Sequence, residues 1–201
     1  MTNPRIMPLE RSRRDQAAGL LARAFRGDPL FRYAIPQDDK RARVLTWMLG
    51  RVLVYASIYG EVHTTPAMEG VVCWVAPGKN KLTPYRVLRT GLTPIAVRFG
   101  LAAYRRFDIN QAYVYKMHRQ HAPKDHWYLW AIGVDPASQG KGIGSALMKP
   151  VLTKASASGT PCYLETHNTR NVRFYEKHGF RVISEGDVPK GGPHVWALVR
   201  D

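Results

Sequence analysis

Apolar residues recur at helical spacing twice in the first third of the chain. Leu20, Leu21, Ala24 and Phe25 follow Ser12-Arg13-Arg14-Asp15, a stretch of capping-box form with aspartate in the usual Glu/Gln place. They predict a first helix that ends near Gly27, before Asp28-Pro29. Val44, Leu45, Met48, Leu49, Val52 and Tyr55 predict a second helix over residues 38 to about 58, closed by Gly60. The period then shortens toward two: residues 61–65 and 70–75 read as the strands of a hairpin around Pro66-Ala67-Met68-Glu69. Over 81–120, Gly91, Pro94 and Gly100 cut the sequence into short helical pieces whose packing the pattern does not place.

The last third is more regular. Aromatic and β-branched residues make 127–134 a strand, ended by Asp135-Pro136. A helix follows from Gly142 to about Ala157, kinked at Pro150, which has no amide to donate, and stopped by Gly159-Thr160-Pro161. Residues 162–166 form a strand, 171–178 a short helix with Gly179 as its cap, and 180–184 and 194–199 two final strands, the second after Gly191-Gly192-Pro193. The order strand, helix, strand, helix, strand, strand describes a mixed α/β sheet rather than an open parallel one.

Composition narrows the class. A chain of 201 residues, 45% hydrophobic, is long enough for one core, so residues 1–201 are expected to form a single α/β domain. No run approaches the ~18 apolar residues of a membrane span, and the basic amino terminus has no apolar segment behind it. The expectation is a soluble, cytoplasmic protein with no membrane partner. Cys73 and Cys162 lie in apolar, strand-like runs and read as buried thiols rather than a disulfide or a metal site.

Thirty Lys and Arg against fifteen Asp and Glu give a net charge of +15. Such an excess attracts nucleic acid, an acidic membrane surface or a phosphate-rich cofactor without choosing among them. Arg86, Arg89, Arg98, Arg105 and Arg106 concentrate it in the middle third, but no compact basic block or zinc-finger spacing appears, which disfavours a nucleic-acid module.

Chemistry enters at Gln139-Gly140-Lys141-Gly142-Ile143-Gly144-Ser145, between a strand and the start of a helix. Three glycines let a ligand approach the backbone, the first amides of the helix have no partner within it, and the helix dipole favours an anion such as a pyrophosphate, with Lys141 beside it. Walker A spacing fails, since it needs glycine where Asp135 stands and Ser or Thr where Gly142 stands. A dinucleotide fingerprint finds Ser145 in its third glycine position. Glu165 does lie about twenty residues on, as a ribose-binding acid would, but too little chain follows for a doubly wound sheet.

The same loop resembles the Gln/Arg-x-x-Gly-x-Gly/Ala loop of the Gcn5-related N-acetyltransferases (GNAT), preceded as in that family by a strand and Val134-Asp135-Pro136. Asn168-Thr169-Arg170-Asn171-Val172-Arg173-Phe174-Tyr175-Glu176-Lys177-His178-Gly179-Phe180 is similar to the family's Asn…Phe-Tyr-Glu-Lys-x-Gly-Phe helix. Within the family, residues 127–200 are most similar to the puromycin N-acetyltransferases, through 139–146, 163–166, 170–171, 174–176 and 188–190. The resemblance implies a mostly antiparallel central sheet flanked by helices, with strands 127–134 and 162–166 splayed. It places a cofactor-binding core at 127–180 and a family-variable helical insertion at 76–126. It implies direct transfer of acetyl from acetyl-CoA to a primary amine of a small molecule. A protein lysine or amino-terminal acetyltransferase, and a non-catalytic coenzyme-binding regulatory or nucleic-acid-binding protein of the same fold, stay open as alternatives. So does a homodimer.

By the same resemblance, the backbone of Ile132, Gly133 and Val134 pairs with the pantetheine arm, and Gln139, Gly140, Lys141, Gly142, Ile143, Gly144 and Ser145 hold the pyrophosphate. Asn168 and Asn171 contact the arm, with a plain helix cap as the alternative for Asn171. Tyr175 gives a proton to the departing thiolate, against the alternative of an ordinary core aromatic. The glutamate that many family members carry on the strand before the loop is missing from 127–134. Glu165 on the next strand is the candidate base, weighed against a structural salt bridge, with His118, His121 and His167 as lesser options. Phe31, Tyr33 and Trp130 are candidate walls of an acceptor pocket, core packing being the alternative.

Overall fold

The computed structural model describes residues 4–93 and 95–201. Its strands are β1 (Met7–Pro8), β2 (Gly60–Thr64), β3 (Gly70–Val75), β4 (Trp127–Val134), β5 (Cys162–Thr166), β6 (Arg181–Asp187) and β7 (His194–Arg200). They form one sheet in the order β1-β2-β3-β4-β5-β7-β6, antiparallel at every junction except β4–β5. The helices are α1 (Arg14–Phe25), α2 (Pro29–Ala34), α3 (Asp38–Tyr59), α4 (Pro84–Thr90), α5 (Ile95–Phe99), α6 (Leu101–His121), α7 (Ile143–Ser158) and α8 (Thr169–Glu176).

β3 is buried at all six positions, which requires cover on both faces of the sheet. Val72 and Trp74 pack with Leu147, Met148 and Val151 of α7 and Tyr175 of α8 on one face. Val71 and Cys73 pack with Leu20 and Leu21 of α1 and with Leu45, Leu49 and Leu53 of α3 on the other, where Met117 of α6 meets Tyr163, Val195 and Ala197. Both cysteines are free and buried, and burial pushes the Cys162 thiol up to about 11.

Two irregularities in β4 shape the centre. The β3–β4 register pairs Cys73 with Ala131 and Trp74 with Leu129, so Trp130 is an inserted residue. The bulge resets the alternation: Trp127 and Leu129 face α7 before it, Ile132 and Val134 after it, and Ala131 joins the α1–α3 side. The second irregularity is that β4 and β5 pair only at Trp127–Cys162 and Tyr128–Tyr163, whereas β5 pairs with β7 along its whole length. Past Tyr128 the two parallel strands part, as the expected splay requires.

Several local expectations are corrected. Ser12 lies in a 3-10 turn over Arg11–Arg13, and α1 is capped by Arg13 with no side-chain hydrogen bond, so no capping box forms. Asp28-Pro29 starts a helix instead of merely following one: Asp28 accepts from the Leu30 amide at 2.9 Å and Pro29 fills the first position of α2. The middle helices break near Gly91 and at Gly100, but the last piece, α6, is 21 residues long rather than short. Pro94, the other predicted break, lies outside the described residues. Pro150 sits inside α7, which runs on through it to Ser158. α8 begins at Thr169, two residues before the expected start.

Gly133 marks where α1 crosses β4, because a Cβ there would lie 2.9 Å from both the Ala24 Cβ and Leu21 Cδ2. Gly133→Ala is expected to push α1 off the strand and to lower stability by about 1–3 kcal/mol, read as a shift of the urea unfolding midpoint at constant slope.

Candidate active site

Between β4 and α7 the chain makes a short 3-10 turn over Pro136–Ser138. Asp135 caps that turn through the Ala137 amide at 3.2 Å and is gripped by Arg23 at 2.6 Å, which lowers its pKa. Gln139 then bonds back to the Val134 carbonyl at 3.2 Å, and Gly140 and Gly142 both take φ of +78°, a conformation that side chains resist. Gly142 caps α7 with no side chain to satisfy the helix end. Past Gln139 the next amide with an acceptor is that of Ala146, which donates to the Gly142 carbonyl, so the amides of residues 140–145 donate to none of the described residues. They form the positive end of a 16-residue helix. Ile143 is anchored in the core, while Lys141 and Ser145 are exposed. Alongside runs a groove of about 390 Å³ lined by Ser145, Lys149, Thr153, Ser156, His178 and Arg200.

Just past the last β4–β5 pair lies a polar cluster on the α6 face. Glu165, its side chain 4% exposed, accepts from Tyr128 Oη at 2.8 Å and from His118 Nδ1 at 3.1 Å. Asn80 Nδ2 lies 3.2 Å from His118 Nε2 and 3.1 Å from His126 Nε2, and His126 Nδ1 lies 2.6 Å from the Pro123 carbonyl. With the Asn80 amide donating to both rings, each imidazole carries its proton on Nδ1, and every member of the chain is satisfied. Burial lowers the His126 pKa and raises that of Tyr128 well above the phenolic range, the adjoining Glu165 charge adding to the latter. Of the other histidines, His121 is exposed, and His167 has a buried Nε2 without a partner among the described residues, its pKa lowered by burial to about 4.

Tyr175 lies on the opposite, α7 face. Its ring meets Phe174 and Phe180 edge-on at 5.3 and 5.9 Å, it is 5% exposed, and its hydroxyl bonds to none of the described residues. Burial first, then the Asp28 carboxylate, drives its pKa well above the ordinary value, so the phenol keeps its proton. Asn168 caps α8 by accepting from the Arg170 amide at 3.0 Å, and Asn171 donates to Thr166 Oγ1 at 3.3 Å. The cap is therefore Asn168 and not Asn171.

The three aromatics expected around an acceptor do not form one wall. Phe31 belongs to the core, 6.1 Å from Phe25 and stacked at 6.5 Å on Phe107. Tyr33 is half-buried and donates to the Lys190 carbonyl at 3.1 Å. Trp130, the inserted residue of the bulge, is half-buried on the α3 side and meets Tyr55 edge-on at 4.9 Å.

Residues 92–180 match the family model described as the acetyltransferase (GNAT) family. An uncharacterised N-acetyltransferase of Schizosaccharomyces pombe is 30% identical over 175 residues, which is 82% of this chain and 69% of that protein. The chain belongs to the GNAT acetyltransferase family. It is accordingly an acyltransferase. Solved structures show the same fold. One described as histone acetyltransferase HPA2 and related acetyltransferase from Corynebacterium glutamicum has a TM-score of 0.68 at 23% identity, covering 99% of this chain and 96% of its own. A polyamine N-acetyltransferase of Drosophila melanogaster, whose description names N-acetylagmatine as its product, has 0.61 at 14%, covering 97% and 98%. Arylalkylamine N-acetyltransferase 2 of Aedes aegypti has 0.63 at 13%, covering 99% of each. The chain spans only 20% and 30% of two Dictyostelium discoideum relatives described as probable serine/threonine-protein kinases.

One residue of this GNAT fold escaped the sequence reading as part of the site. In the sequence Asp28 stood only as part of the Asp28-Pro29 that follows the first helix, yet burial pushes its carboxyl from the ordinary 3.8 up to about 6, against the pull of the Leu30 and Phe31 amides. The folded state thus holds this proton more tightly than the unfolded state, so Asp28's contribution to stability falls as pH rises from about 4 to about 6. His167 acts in the opposite sense over the same range, because its folded pKa lies below the ordinary 6.5. Asp28→Asn, which keeps a capping side chain, isolates the carboxylate: relative to the parent, its melting temperature is expected to rise across that window and to hold level above it. A difference that stays constant through the window would exclude a buried, proton-holding Asp28.

Proposed function

We propose that this acyltransferase moves an acetyl group from acetyl-CoA directly to a primary amine of a small molecule. The observation that carries the reading is the row of undonated amides over residues 140–145, opening at the head of α7 beside the gap between β4 and β5. A pyrophosphate would sit on those amides, with Lys141 at the rim. The pantetheine arm would lie along Ile132, Gly133 and Val134 as an extra strand in the gap, within reach of Asn168 and Asn171. Lys149, His178 and Arg200 in the adjoining groove would face the charged adenosine end.

The bound thioester supplies an activated acyl group. Tyr175, kept protonated by its surroundings, would give its proton to the departing sulfur. Glu165, steadied by Tyr128 and His118, would receive the proton that the attacking amine loses. Trp130 and Tyr33 are the remaining candidates for acceptor contacts. The amines named for the Drosophila and Aedes neighbours support a small-molecule acceptor. The likeness of residues 127–200 to puromycin N-acetyltransferases adds an aminonucleoside to the compounds worth trying.

Calorimetry with acetyl-CoA is expected to show one site, and thiol release to appear with at least one member of a panel of polyamines, arylalkylamines and puromycin. A chain that ignores acetyl-CoA refutes the proposal. Binding without release against any amine would make it a coenzyme-binding regulator. Tyr175→Phe should lower turnover about 10²–10⁴-fold while coenzyme affinity holds. Glu165→Gln should lower turnover and change the pH–rate profile, and an unaltered profile rejects Glu165 as the base.

A further inference from the structure

The middle of the chain carries a surface to which the proposed acetyl transfer assigns no role. From Gly70 to Phe107 there is no Asp or Glu, while Lys79, Lys81, Arg86, Arg89, Arg98, Arg105 and Arg106 all fall there. Residues 79–93 and 95–101 lie along α3 in the reverse direction. Arg86 sits 4.8 Å over the Tyr59 ring, and Arg51 Nη1 lies 3.2 Å from where a Cβ on Gly91 would be. Arg98 sits 5.8 Å over Trp47, and Lys40 Nζ lies 3.2 Å from the Cβ position of Gly100. These contacts step from one end of α3 to the other, so α4, α5 and the start of α6 form a single strip, roughly 30 Å long at 1.5 Å per helical residue.

Thr90, Leu92, Phe99 and Ala103 close the inner side of the strip. Its outer side presents Leu82, Tyr85, Leu88, Val97 and Leu101, between 51% and 84% exposed. Exposed Lys81, Arg89, Arg98 and Arg105 stand among them, none paired with a described carboxylate. Single exposed apolar residues are ordinary, but five large ones on one strip mark an interaction surface.

We propose that this strip docks on an anionic lipid bilayer, its apolar side chains entering between headgroups while its basic residues meet the lipid phosphates. A second copy of the chain would set like charge against like, and a nucleic acid would leave the five apolar residues without a role. No helix among the described residues is long and apolar enough to cross a membrane, so the contact is one of surface. The sequence alone set a membrane partner aside. Folding α4 and α5 onto α3 is what gathers the apolar and basic residues into one face.

The 201-residue chain can be sedimented with vesicles of phosphatidylcholine alone and of phosphatidylcholine with phosphatidylglycerol. Cosedimentation is expected only with the anionic vesicles, weakening as salt is added. Leu88→Ser/Val97→Ser/Leu101→Ser and Arg89→Gln/Arg105→Gln should each weaken it at least about tenfold, with acetyl-CoA binding and thermal melting unchanged. Failure to bind anionic vesicles, or equal binding by both variants, overturns the proposal. A concentration-dependent dimer that the serine variant abolishes would assign the strip to a second copy instead.

Discussion

The structure turns on an interruption within its own sheet. Backbone amides and carbonyls inside a protein must find partners, and a sheet ordinarily supplies them at each register. Here β4 and β5 pair at two positions and then diverge, while β3 and β7 complete the outer edges of both strands. The divergence leaves a run of peptide groups on the inner edge of β4 that no other strand serves. The Trp130 bulge, Gly133 under α1 and the two left-handed glycines at the head of α7 all bear on this gap, as they set the direction of β4 and the loop at its far end.

Such a gap is costly unless its rim is stiff, and the polar cluster at its apex supplies the stiffness. Tyr128 and Tyr163 form the last strand pair, and the chain from Tyr128 through Glu165, His118 and Asn80 to His126 ties β4, β5, α6 and the β3–α4 loop together there. A nearly buried carboxylate with two donors is held, whereas the same carboxylate with neither would carry a large desolvation penalty. The cluster therefore couples the long α6 to the point at which the sheet opens. Beside the cluster, the Tyr163 hydroxyl is buried without a partner among the described residues.

What the sequence disclosed follows from the range of the interactions involved. The loop 139–145, the hairpin and the helices from Asp38 and Gly142 are set by short-range patterns, and all are found close to where those patterns put them. The start of α8 moved by two residues because Asn168 and Asn171 are equally good capping residues, and only the path from Thr166 decides between them. The sequence left Phe31 between pocket wall and core because its partner Phe107 is distant along the chain. The link from Asn80 through His118 to Glu165, and the laying of α4 and α5 on α3, join residues far apart in the chain with no periodic trace. The Asp28 carboxylate and Tyr175 are likewise related only by the fold.

Strand alternation gives the proposed reaction its geometry. On β5, Cys162 and Leu164 turn toward α7 and Tyr163 toward α6, so Glu165 shares the α6 side while Tyr175 stands with the α7 cluster. A proton donor and a proton acceptor on opposite faces of a continuous sheet have no common reactant. Parted strands give them one, because a thioester threaded through the gap shows its sulfur to one face and its acyl carbon to the other. On that reading the coenzyme enters from the α7 side and the amine from the α6 side, and neither needs to pass the other. On the proposed function the splay would serve two ends, as a peptide-like groove for the arm and as the passage that lets both faces of the sheet act on one bond.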